Sequence, residues 1–455
     1  MKELEKLFFC GVSNLEEYNY LNNKDAGGVL LYPKIFEDPS EFFEIIYRTE
    51  GKNILLSTDH EGGQIEVIPF VPPSPGNLLL GRLEPSYVQN YCTMAGKFMK
   101  DLGINTVFAP VLDLLFFETN PVIGYRSYGS DPQVVAQMGR AAIHGYRRAG
   151  LYSCAKHFPG HGRSCQDSHE DLSVVNASLD ELESDLYPFK VAIQNDVDSI
   201  MLSHVIYKAI DDKPASISEK IIKQLLREEL GYDGLILSDA VEMKGLSNKY
   251  SPLDVVTDFF NASGDMLILS DPRNLKTYSE TLENVLACGR VSKSFVNRSI
   301  ERIGRLSKRV ESNITSIFEA IQKAVVFNVK KSNCKSVALV LPNWVLYTKA
   351  DVSSSYIPVI TTQARKTLGA EVIRFNQIDS VHESETVVDL IIDLTPEEVV
   401  LHRKLSEKFK VIYVITRNPH LAENFIDKDH VITYSLTPLV MGLVFRRLSQ
   451  ILTRG

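Results

Sequence analysis

Residues 156–169 read Lys156-His157-Phe158-Pro159-Gly160-His161-Gly162-Arg163-Ser164-Cys165-Gln166-Asp167-Ser168-His169. Three histidines, a lysine and an aspartate in one short segment are groups that could move protons or bind a polar ligand. Pro159, Gly160 and Gly162 exclude a regular helix through it. His157 and His161 are four apart, yet for that reason they share no helix face. Asp167 and His169 are separated by one residue. In a turn or extended chain the carboxylate can accept a hydrogen bond from one imidazole nitrogen, which fixes the tautomer and raises the basicity of the other. Such a pair would transfer protons near neutral pH. The plain alternative is a solvated loop with an incidental Asp-x-His.

Other ionisable residues fall at comparable places. Asp239 ends the apolar run Gly234-Leu235-Ile236-Leu237-Ser238. A carboxylate there can act as a nucleophile or an electrostatic stabiliser, or simply cap a helix. In Thr58-Asp59-His60-Glu61-Gly62-Gly63-Gln64, Asp59 can bind ligand hydroxyls, and Glu61 reads as an internal anchor. Arg126 stands in the long loop 120–132, able to hydrogen-bond a sugar or a carboxylate, or to be an ordinary surface arginine.

The elements that must position these residues alternate. Short apolar runs at 28–32, 53–57, 105–109, 151–155, 199–203, 234–238 and 265–269 predict strands. Helical patterns at 87–102, 132–149, 179–195, 218–229 and 252–262 separate most of them. About seven βα units in some 300 residues predict a (β/α)8-type barrel, an α/β fold. Asp59, Glu61, Lys156, His157, His204 and Asp239 all fall just after predicted strands, at the end of a barrel where active sites lie. An Arg- and Lys-rich helical stretch, 292–330, closes the barrel. A smaller doubly wound α/β domain follows, with strands at 336–341, 371–375, 387–394, 410–416 and 431–435 and helices at 361–368, 396–408 and 436–452. The expected division is therefore 1–330 and 331–455. The second domain carries no Gly-rich phosphate loop.

Composition narrows the class. The 455 residues are 44% hydrophobic and 23% charged, those of an ordinary globular protein, and the net charge of −8 argues against non-specific nucleic-acid binding. Residues 1–10 lack the features of a secretory signal, and no apolar run approaches bilayer length. The six cysteines form no CxxC pair, which predicts reduced thiols in a cytoplasm.

Taken together, several segments resemble glycoside hydrolase family 3, in its β-N-acetylglucosaminidase branch of the NagZ type. They are Asp59–Gly63, Phe108–Asp113, Asn120–Arg126, Lys156–His169, Ser203-His204-Val205, Ser238-Asp239 with Met243, and Gly264-Asp265, in the family's order across residues 25–320. The Lys-His-Phe-Pro-Gly-His-Gly…Asp-Ser-His run is the most specific. The resemblance implies Asp239 as nucleophile and His169 as acid/base with Asp167 as its partner. It implies that Asp59, Arg126, Lys156 and His157 grip the N-acetylglucosamine ring, and gives His161 only a loop-shaping role. It further implies a retaining, two-step hydrolysis of a small carbohydrate, namely N-acetylglucosaminyl muropeptide fragments from cell-wall recycling, in the cytoplasm, with no cofactor, metal, nucleic acid or membrane span. The C-terminal domain resembles the α/β domain appended to many family members. Gln64 and Val67 stand where the family often has arginines, and Ala240 replaces the acidic residue common beside the nucleophile. Three other readings remain: a phosphorylase using the same residues, a zinc hydrolase built from His157, His161 and His169, and a non-catalytic sugar-binding protein.

Overall fold

The computed structural model describes residues 2–69, 71–117, 120, 122–164, 172–306, 310, 315–334, 336–341, 356–381, 386–392, 394–416, 419–433 and 437–454. Eight parallel strands close into a barrel: β1 (Phe8–Val12), β2 (Gly28–Leu31), β3 (Leu55–Thr58), β4 (Thr106–Val107), β5 (Tyr152–Phe158), β6 (Ser199–Leu202), β7 (Leu235–Ala240) and β8 (Met266–Leu269). Each pairs with its chain neighbours, and β8 returns to β1 through Phe8–Leu267 and Cys10–Leu269. The barrel is the one the βα alternation predicts.

One strand was not among those expected. Residues 1–10 show in sequence only that they lack a secretory signal, yet Phe8–Val12 is wholly buried and closes the barrel. Phe9 meets Phe108 edge to face at 5.2 Å inside. The Leu7–Cys10 run is only four residues long and follows a charged start, so its periodicity carries no signal.

The helices begin where local chemistry favours them. Asp131 caps the helix Pro132–Ala149 by accepting from the Gln133 N–H, proline fills the first helical position, and Gly150 ends it in the left-handed region. Ser178 with Glu181 and Ser251 with Asp254 form capping boxes for Leu179–Gln194 and Pro252–Asn261. Lys220–Glu229 winds as a π-helix and not the regular α-helix expected over 218–229.

The described chain divides into two compact units. One is Met1–Ile35 with Arg48–Ile314. The other is Phe36–Tyr47 with Thr315–Gly455. The second holds a six-stranded sheet of β9 (Val326–Asn328), β10 (Val337–Leu341), β11 (Glu371–Arg374), β12 (Thr386–Ile392), β13 (Lys410–Thr416) and β14 (His430–Ile432), in the order β9-β14-β13-β12-β10-β11. All pairs are parallel except β9 with β14. Both faces are covered: Val388, Leu390 and Ile392 of β12 enter one core, Val387 and Ile391 the other. A strand buried on both sides reads as a near-continuous apolar run, as Thr386–Ile392 does apart from Thr386 and the buried Asp389, whose Oδ2 lies 2.6 Å from His402 Nδ1.

β9 corrects an expectation. The stretch 292–330 was expected to be helical throughout. It forms helices Lys293–Leu306 and Thr315–Ala324 and then a strand, because Val325-Val326-Phe327 favours extended backbone. In the same unit Gln363 Nε2 donates to Asp38 Oδ1 at 2.7 Å, and Arg446 donates to the Ser40 hydroxyl and carbonyl, each at 2.9 Å. Phe36–Tyr47, between β2 and β3 in sequence, is thus held among residues more than 300 positions away.

Cys10, Cys92, Cys154, Cys288 and Cys334 are free thiols; Cys165 lies outside the described residues. Among the described residues no helix is long and apolar enough to cross a membrane.

Candidate active site

Two barrel strands break register where the expected site residues stand. On β5, Ala155 pairs with Ile200 and Phe158 with Leu202, so Lys156 and His157 together oppose Met201 alone. On β7, Leu237 pairs with Met266 and Ala240 with Ile268, so Ser238 and Asp239 oppose Leu267 alone. A bulge of two residues against one re-aims side chains and commonly borders active sites. The strand expected to stop at Ala155 therefore runs on to Phe158, and Lys156 and His157 are held by sheet pairing on either side of them.

A cavity of about 410 Å³ opens at this end of the barrel, lined by Asp59, Glu61, Arg126, Lys156, His157 and Asp239, with Tyr32, Val67, Met201, Met243 and Ile268 among its less polar walls. That size is within the range of small-molecule sites. Five of the seven expected site residues, Asp59, Arg126, Lys156, His157 and Asp239, line it. Asp167 and His169 lie outside the described residues.

Glu61 is the hub of its polar wall. Its Oε1 accepts from Arg126 and from Lys156, each at 2.7 Å, and its Oε2 accepts from Arg126 Nε at 2.8 Å. Lys156 also reaches Asp59 Oδ1 at 2.6 Å. Glu61 and Lys156 are almost wholly buried, 4% and 2% exposed, so the charges must neutralise one another. Burial alone would raise the Glu61 carboxyl; Lys156 and Arg126 overcome this and hold it well below the usual carboxylate range. Burial would likewise lower Lys156, but Asp59 and Glu61 keep its ammonium charged. Asp59 remains partly exposed at the cavity end of the chain of charges.

Asp113 sets the orientation of His157. Its buried carboxylate accepts the His157 Nδ1–H at 2.7 Å, the His157 backbone N–H at 3.2 Å and the His161 backbone N–H at 2.6 Å. Burial would raise this carboxyl, but His157 and His161 lower it. With Nδ1–H committed to Asp113, His157 presents Nε2 toward Arg126 at 3.4 Å. Burial and the neighbouring His157 push His161 down to about 4, leaving it neutral at pH 7. Its Nδ1 pairs with the Ser164 hydroxyl at 2.7 Å. Asn120 Nδ2 binds the Gly162 and Ser164 carbonyls at 3.1 and 3.0 Å.

Asp239 closes the cavity from β7. Burial works to raise its carboxyl, yet His204 and His157 outweigh it and hold it below the ordinary value. It is therefore ionised at neutral pH. An ionised carboxylate that shares a cavity of this size with a lysine, an arginine and a histidine can attack an electrophilic carbon held there. Among the described residues no group of three or more His, Cys, Asp or Glu side chains is placed to hold a metal ion.

Three contributors carried too little signal in the sequence to be assigned a role: Asp113, Glu242 and His204. Glu242 accepts from the Ser270 N–H at 2.8 Å and from Asn274 Nδ2 at 3.1 Å, tying the turn after β7 to the end of β8. Their positions after strands were visible, but Asp113 and Glu242 find their partners 28 or more residues away and His204 reaches Ala240, 36 positions on.

The barrel and the charged cavity at its mouth define an α/β-barrel protein with a small-molecule site, and comparison with known proteins places it. Residues 2–306 match the glycosyl hydrolase family 3 N-terminal domain, and residues 335–448 match the β-N-acetylglucosaminidase C-terminal domain. The chain belongs to glycosyl hydrolase family 3 and is a glycoside hydrolase. It is 31% identical over 304 residues to a β-hexosaminidase of Bordetella avium, covering 64% of this chain and 84% of that one. It is 29% identical over 332 residues to β-hexosaminidase A of Pseudoalteromonas piscicida, covering 65% of this chain but only 56% of that longer protein. The crystal structure of the β-N-acetylglucosaminidase from Thermotoga maritima superposes with a TM-score of 0.88 at 36% identity, covering 97% of this chain and 99% of that one.

Proposed function

We propose that this chain is a retaining β-N-acetylglucosaminidase that removes terminal N-acetylglucosamine. The observation that carries the reading is Asp239, ionised at the bulged end of β7 and sharing one cavity with Asp59, Lys156, His157 and Arg126. Asp239 attacks the anomeric carbon, and the glycosidic bond to the leaving oxygen breaks as His169, oriented by Asp167, protonates that oxygen. His169 then takes a proton from water, which displaces Asp239 and releases the sugar. Asp59, charged Lys156, His157 and Arg126 hold the ring hydroxyls. The β-hexosaminidase relatives and the Thermotoga maritima β-N-acetylglucosaminidase support the choice of sugar. Peptidoglycan-derived muropeptide fragments, met in the cytoplasm, are the substrate and place of action that the resemblance suggests.

The test is to incubate the protein with an aryl β-N-acetylglucosaminide, with and without inorganic phosphate, and identify the sugar released. Free N-acetylglucosamine with retained configuration, at a rate independent of phosphate, is expected. A sugar phosphate would replace hydrolysis by phosphorolysis, and absence of aglycone release would overturn the reading.

A further inference from the structure

His204 follows β6 and does not line the cavity, yet both its ring nitrogens are engaged. Nε2 lies 2.9 Å from the carbonyl oxygen of Ala240, the residue after the proposed nucleophile, and Nδ1 lies 2.7 Å from the Ser216 hydroxyl. A carbonyl only accepts, so Nε2 carries the proton whatever the state of Nδ1. His204 is 1% exposed, so water does not compete for the bond. Ser216 is itself fixed, its N–H donating to the Ser203 carbonyl at 3.1 Å. The bond falls at the bulge of β7, where Ser238 and Asp239 oppose one residue and strand pairing specifies their orientation least. On the other side of the turn, Glu242 ties the chain to Ser270. Asp239 Oδ1 accepts the Ala240 N–H at 2.7 Å, so the peptide that His204 grips by its carbonyl side is next to the one that sets the carboxylate.

We infer that His204 is a positioning residue for the nucleophile: by donating from Nε2 to the Ala240 carbonyl, with Ser216 holding its ring, it fixes the Asp239 carboxylate in the attacking orientation. The inference rests on the proposed function, in which Asp239 is the nucleophile. The effect belongs to glycosyl-enzyme formation, and not to ground-state binding, because His204 does not line the cavity.

The test compares His204→Leu, which removes the donor at similar size, with His204→Gln, whose amide can donate from nearly the same place. Two rates are measured: aryl β-N-acetylglucosaminide turnover, and labelling of Asp239 by a 5-fluorinated N-acetylglucosaminyl donor followed by mass spectrometry. Removing this donor, while the Ala240 carbonyl keeps the Met243 N–H at 3.1 Å, predicts a roughly 10-fold fall in kcat and in labelling rate for His204→Leu, with KM changed by less than about threefold. His204→Gln restores most of the loss. Ser216→Ala, which loosens the ring alone, falls by about three- to tenfold and decides the matter if His204→Leu does not fold. Wild-type labelling rates in His204→Leu, or in Ser216→Ala where it stands in, overturn the inference while leaving the function intact, as does a His204→Gln no better than leucine. Failure of the wild-type protein to label Asp239 overturns the proposed function itself and, with it, this inference.

Discussion

Glu61→Gln tests whether the charge network is the framework of the site. The substitution keeps the size of the side chain and one acceptor, but removes the charge that balances Arg126 and Lys156. It also turns one oxygen that accepts from Arg126 into a donor facing a donor. Removing one partner of a buried ion pair costs about 3–5 kcal/mol. Lys156 retains Asp59 and the Arg126 side chain is 13% exposed, so we take the lower end, about 3 kcal/mol. For a barrel of this size that corresponds to roughly 5–10 °C in its melting transition at pH 7. The sign with pH follows from the depressed Glu61 carboxyl. A group whose folded value is lowered stabilises above its unfolded value, near pH 4, and loses that contribution as pH falls toward the folded one. The wild-type protein should therefore lead Glu61→Gln fully at pH 7, and the gap should narrow below about pH 4. Differential scanning calorimetry from pH 7 to pH 3, following the barrel transition by itself, reads both quantities. A variant that melts within about 1 °C of wild type at pH 7, or a gap that widens on acidification, would refute the reasoning.

Other perturbations give separate outcomes. Asp113→Asn weakens the charge-assisted bond that fixes His157, so kcat/KM should fall by roughly 10- to 100-fold, measured by steady-state kinetics; wild-type kinetics would remove Asp113 from the site. Because Asp239 is held below its ordinary value, the acid limb of kcat/KM should lie below the pH at which a free aspartate titrates. Activity should be lost as pH falls through that limb, and a limb above about pH 4 would contradict the assignment. Gly81→Ala would place a methyl 1.7 Å from the Tyr128 carbonyl oxygen, and should lower the melting temperature by several degrees, since that backbone contact has to shift.

The fold was largely legible because its strands are buried on both sides. Runs such as Leu235–Leu237 and Val411–Ile415 have no exposed face, and the helices between barrel strands carry their own caps, as at Asp131 and Ser178. Phe8–Val12 escaped because a five-residue strand beginning near Met1 looks like any apolar start. Val326–Asn328 escaped because a helical pattern precedes it without a breaker. At the site, Asp59, Lys156 and Asp239 stood out as charged residues ending apolar strands. What could not be read was pairing. Glu61 was expected only as an anchor, and nothing in its neighbours says that it joins Arg126, 65 positions on, to Lys156, 95 positions on. The bulges at Lys156-His157 and Ser238-Asp239 were equally invisible, because they depend on the register of the neighbouring strands. The grouping of Phe36–Tyr47 with the second sheet rests on contacts such as Asp38 with Gln363, which no local pattern encodes.

The most direct measurement is the site of covalent attachment. After a 5-fluorinated N-acetylglucosaminyl donor has been turned over partway, proteolysis and mass spectrometry should find one modified peptide, with the sugar on Asp239 and none in Asp239→Asn. A sugar attached elsewhere, or turnover at the wild-type rate in Asp239→Asn, would contradict the account.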